Sequence, residues 1–124
     1  MPILFVGLGG ALGAVGRFLV GEIFLRRYGA AWPWSTLFIN LSGCILIGAF
    51  FAFAGAHLAL NANYRYLIPI GFIGGYTTFS TYALETQRLL EGGAFFSAGL
   101  YLLASNALGL LAVWCGLWLG RRLG

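Results

Sequence analysis

Between Gly71 and Tyr82 the chain reads Gly-Phe-Ile-Gly-Gly-Tyr-Thr-Thr-Phe-Ser-Thr-Tyr. The hydroxyls of Thr77, Thr78, Ser80 and Thr81 sit beside Gly71, Gly74 and Gly75 in a segment otherwise apolar enough to cross a bilayer. A helix in hydrocarbon has no solvent to receive loosened backbone groups, so a break there is tolerated only against protein or an aqueous cavity. The spacing therefore predicts a break near Gly74–Thr77 whose freed carbonyls can coordinate a cation, as in other discontinuous helices. Thr77, Ser80, Thr81 and Leu84 fall at helical offsets that line one face with hydroxyls, and Phe79 and Tyr82 share the neighbouring face. A single hydroxyl in such a place usually bonds back to its own helix. Four beside a glycine pair point to an ion or substrate path.

Other polar residues join this track. Thr36, Asn40 and Gly43 form one stripe of a second apolar run, and Tyr101 and Ser105 share a face of a later one. An amide in hydrocarbon needs partners or water, so Asn40 either bonds a neighbouring helix or lines a wet cavity. Asn106 reads as structural. Arg17 is the arginine deep in a span, where it either meets the freed carbonyls or snorkels toward Glu22. Glu85 lies one turn beyond Tyr82, and capping or interfacial solvation is its plainer account. Cys44 and Cys115 stand in apolar surroundings as small hydrophobes, with no metal-ligand or disulfide spacing. No nucleophile–base pair or carboxylate dyad accompanies them, which argues against an enzyme. Hydroxyls, an amide and aromatic rims suit a small anion, because ring edges carry partial positive charge and neutral donors replace hydration without trapping the ion.

The elements that must position these groups follow from hydropathy. Of 124 residues, 60% are hydrophobic and 8% charged, with a mean hydropathy of +0.91. Soluble domains carry about 25% charged residues. The reading is an all-α membrane protein with four transmembrane helices, a single domain over residues 1–124. The spans cover about 3–25, 34–56, 66–89 and 94–119, the third of them broken. Short connections at 26–31, 57–63 and 91–93 leave no soluble domain, and the first span lacks the features of a cleaved signal, so it is expected to persist. A net charge of +4, carried by scattered arginines, excludes a nucleic-acid partner. Arg65, Arg121 and Arg122 lie on one side of the bilayer and Arg26, Arg27 and Arg88 on the other. This balance gives the positive-inside rule nothing to act on, so either two oppositely inserted copies pair or one further charge, such as the N-terminal amine, decides a single topology. The small-residue pairs Gly9/Gly13, Gly71/Gly75 and Gly116/Gly120 permit close helix approach, most simply inside one subunit.

Three segments carry a resemblance: Gly9 to Arg17, Thr36 to Gly43 and, most specifically, Gly71 to Tyr82. In these, and over essentially its whole length, the chain resembles the Fluc (CrcB) family of fluoride channels. The resemblance implies an antiparallel, dual-topology homodimer in the cell inner (plasma) membrane, exporting fluoride passively through two pores. It also implies a structural Na+ at the dimer interface, held by main-chain oxygens at positions matching Gly74 and Thr77. The pore-lining aromatics would be Phe79 and Tyr82, the pore amide Asn40, the hydroxyl track Thr36, Ser80 and Thr81, and the polar fourth-helix positions Tyr101 and Ser105. Two departures stand out. Tyr82 replaces the usual second Phe, from which we expect retained conduction with altered throughput, and Gly109 stands where family members can carry another hydroxyl. The alternatives are a dual-topology proton-coupled multidrug exporter, which needs a deep acid where this chain has Arg17, and a non-transporting subunit of a larger membrane assembly.

Overall fold

The computed structural model describes residues 1–57 and 59–124. Leu58, in the connection after the second span, lies outside the described residues. The elements are all helical. Helix α1 (Pro2–Tyr28) opens on Pro2, whose missing N–H costs nothing in a first turn. It runs one turn beyond the apolar stretch, because Arg26 and Arg27 suit the negative end of the helix dipole. It stops at Gly29, which adopts φ 73°. Helix α2 (Trp34–Ala56) follows.

The third segment is composite. Helix α3 (63–76) is α-helical at both ends and π-helical over Tyr66–Ile73. Pro69 explains the widened middle: it has no N–H to give and its ring crowds the carbonyl one turn back. Thr77 (ψ 157°) and Thr78 (φ −148°, ψ 116°) are extended, and α4 (Phe79–Glu91) resumes the helix. Helix α5 (Phe95–Leu123) carries a second π-helical turn at Ala104–Leu108.

Among the described residues, α1, α2 and α5 are each long and apolar enough to cross a membrane. Neither α3 nor α4 reaches the roughly 20 residues a crossing needs. The protein is a multi-pass membrane protein. Its helices pair as α1 with α3 and α2 with α5. Glycine makes both seams possible. A Cβ on Gly9 or Gly13 would fall on Leu67 O or Phe72 O of α3, and one on Gly75 would sit 2.6 Å from Gly10 O. On the other seam, a Cβ on Gly116 or Gly120 would fall on Ile45 O or Ala49 O of α2, and one on Gly48 on Val113 O of α5. All three glycine pairs are thus used within one chain.

Candidate functional site: the extended turn between α3 and α4

The helix opens two residues beyond the second glycine of the pair Gly74–Gly75. Gly74 keeps helical angles (φ −61°, ψ −38°), and the extended residues are Thr77 and Thr78. Among the described residues positive φ occurs only at Gly29 and Gly93. Gly75 therefore serves close approach to α1 rather than unusual backbone geometry.

Asn40 holds the extended turn. Its Nδ2 donates to Thr78 O at 3.0 Å, and Thr78 N donates to its Oδ1 at 2.8 Å. Of the two roles open to this amide, the bond to a neighbouring element is the one observed. Thr78, which the residue pattern did not single out from its neighbours, is the centre of the turn. It is buried, and its hydroxyl caps α4 by accepting from Thr81 N at 3.3 Å. The same oxygen donates to Thr81 Oγ1 at 3.0 Å and lies 3.5 Å from Ser80 Oγ. Thr77 belongs elsewhere: its hydroxyl bonds back to Ile73 O at 3.0 Å, and its methyl faces the notch left by Gly43. The hydroxyls thus divide between the two sides of the turn and do not form a single helical row.

The aromatic pair also divides. Phe79 is 78% exposed, whereas Tyr82 is buried, with ring centroids 5.6 Å apart at 59°. Tyr82 meets Tyr101 edge-on at 5.2 Å and 70°. Tyr101 is fully buried, with Trp32 packed edge-on against its other side. Its hydroxyl donates to Glu85 Oε2 at 2.9 Å, and Thr36 Oγ1 donates to Glu85 Oε1 at 2.7 Å. Glu85 is therefore the acceptor that ties α2, α4 and α5 together, not a merely interfacial charge. A carboxylate bonded through both oxygens is stabilised where an unpaired one would be costly. Its two partners lie 49 and 16 positions away, beyond any local spacing rule. Ser105 lies half-buried in the π-helical turn, and Asn106 beside it donates to Tyr82 Oη at 3.1 Å.

A cavity of about 740 Å³ lies between α1, α2 and α4, lined by Arg17, Thr36, Thr78, Thr81, Glu85 and Arg88 among others. Glu22 also lines it, but its near charge is Arg26 at 3.7 Å, not Arg17. Arg17 is half-buried on the cavity wall. The cavity thus runs from an arginine-bearing wall to the hydroxyls of the turn. Its charged lining is balanced, Arg17 and Arg88 against Glu22 and Glu85.

A membrane protein whose extended mid-segment turn is fixed by an amide and flanked by hydroxyls and aromatic rings has the build of an ion conduit. The comparisons with known proteins agree. The family described as "CrcB-like protein, Camphor Resistance (CrcB)" matches residues 4–117, and the chain belongs to that family. It is 47% identical over 123 residues to a protein of Acidobacterium capsulatum named fluoride-specific ion channel FluC, covering 99% of this chain and 98% of that one. Proteins of the same name from Rhizobium meliloti (46%, covering 98% and 97%) and Geobacter sulfurreducens (43%, covering 98% of each) are similarly close. These relatives are named as ion channels, not enzymes.

Proposed function

We propose that this chain is a fluoride-selective channel that exports cytoplasmic fluoride by passive conduction, as an antiparallel homodimer with two pores. Similarity over nearly the full length to proteins named fluoride-specific ion channels carries this reading. The geometry supports it. Fluoride entering the cavity past Arg17 would meet the hydroxyls of Thr36, Thr81 and Ser80, then the rims of Phe79 and Tyr82. Neutral donors and ring edges offset lost hydration while leaving the ion free to move on. Tyr101 and Ser105 would complete the wall from α5, and Asn40 would keep the turn open.

Two observations support pairing. Phe79 and Ser80 are exposed on one chain at the head of α4, where a second copy would cover them. The arginines balance three against three, which favours inverted partners. A structural Na+ fits the turn. Thr77 N donates to Ile73 O and Thr78 N to Asn40, so neither of the amides that normally cap Gly74 O is spent on it. The carbonyls of Gly74 and Thr77 would hold the ion, whose charge would fasten the two copies together. The exporter alternative is less well supported, because Glu22 lies beside Arg26 rather than standing as a free acid.

Purified protein in liposomes, followed with a fluoride electrode, tests the reading. Fluoride should escape while chloride stays trapped, without a proton gradient, and Phe79→Ile should abolish escape while preserving dimers. Release that requires a proton gradient, or no release of either halide, would overturn it.

A further inference from the structure

Tyr82 differs from a phenylalanine by one oxygen, and that oxygen is engaged. Asn106 Nδ2 donates to Tyr82 Oη at 3.1 Å and to Leu102 O at 2.9 Å, which uses both amide hydrogens. Among the described residues Tyr82 Oη makes no other hydrogen bond, so its own O–H stays available as a donor. The ring is held on a second side by Tyr101, itself fixed through Glu85 to Thr36. Asn106 reaches Tyr82 from the π-helical turn of α5, and such turns recur at functional sites.

We infer that Asn106 is a positioning residue for the aromatic pair Phe79–Tyr82. Its amide fixes the Tyr82 ring and leaves the Tyr82 O–H as an added donor to the passing anion, so the pair of residues sets throughput. This rests on the channel reading for its anion, but not for its geometry. A phenylalanine at 82 would leave one Asn106 hydrogen without this partner and remove the anchor at the tip of the ring. The tyrosine and the asparagine therefore act as a unit.

Asn106→Thr isolates the bond, because a threonine hydroxyl can still bond Leu102 O one turn back but is too short to reach Tyr82. Fluoride release should fall about fivefold in Asn106→Thr, the worth of one ordinary hydrogen bond. In a Tyr82→Phe background the same change should cost less than about twofold, since the partner oxygen is already gone. Equal losses in both backgrounds, or no loss in the first, would overturn the inference. If Asn106→Thr does not assemble, Asn106→Leu is read the same way. A second measurement does not depend on conduction: nuclear magnetic resonance of tyrosine labelled at Cζ should show the Tyr82 signal shifted in Asn106→Thr, because the lost bond ends on the oxygen attached to that carbon. An unchanged Cζ signal would overturn the positioning role. Absence of fluoride release from the native protein would instead remove the channel reading and leave the ring measurement to decide the geometry.

Discussion

The glycine seams and the extended turn solve opposite problems in the same hydrocarbon. Along α2 and α5, Gly48, Gly116 and Gly120 bring backbones into direct contact, and no polar side chain is needed. At Thr77–Thr78 the backbone leaves the helix, and polar side chains from other elements must satisfy it. In lipid, helix association rests on close packing more than on expelled water, so the seams gain from the smallest possible side chain. The turn gains from a particular one, because unpaired backbone groups have no water to fall back on. Bulk should be intolerable at the first and loss of polarity at the second.

Substitutions can break or sharpen that contrast. Gly116→Val places new atoms on the Ile45 carbonyl, a backbone group that cannot swing aside. Overpacking of this kind should cost about 3 kcal/mol or more, visible as loss of the monodisperse peak in detergent chromatography. A native-like peak would mean the seam is looser than its geometry. Asn40→Leu keeps volume but strips Thr78 N and O of their partners. Each orphaned group should cost about 1–3 kcal/mol, read from chemical unfolding in detergent, together with loss of fluoride release. Unfolding at native denaturant concentrations would show that the turn does not depend on this amide. At the far end of the scale, Arg26→Ala removes an exposed pair with Glu22 at 3.7 Å. Its effect on unfolding should stay below about 0.5 kcal/mol, and a larger loss would mean Arg26 does more than face water.

The helical membrane architecture was legible because apolar stretches of the right length leave few other solutions. Of the polar residues that the pattern named, Asn40, Thr36, Tyr82 and Tyr101 make side-chain contacts around the turn or the Glu85 carboxylate. What periodicity could not supply was partnership. Thr77 and Thr78 are identical neighbours, yet one bonds back to its own helix and the other is gripped by a residue 38 positions away. Glu85 looked interfacial because its partners are brought to it only by the assembled bundle. Gly74 and Gly75 suggested backbone freedom, whereas Gly75 is there because Gly10 of α1 passes so close. A glycine has two uses, and only the neighbour reveals which one operates.

The paired bonds between Asn40 and Thr78 amount to a peptide-like rung laid sideways from α2 onto the chain. Because α2 is itself keyed to α5 at three glycines, the height of the extended turn is inherited from a distant seam, as a lintel takes its level from the wall. Sliding that wall by a single turn would lift the rung away and leave the Thr78 amide and carbonyl unpaired, with no residue of the turn altered.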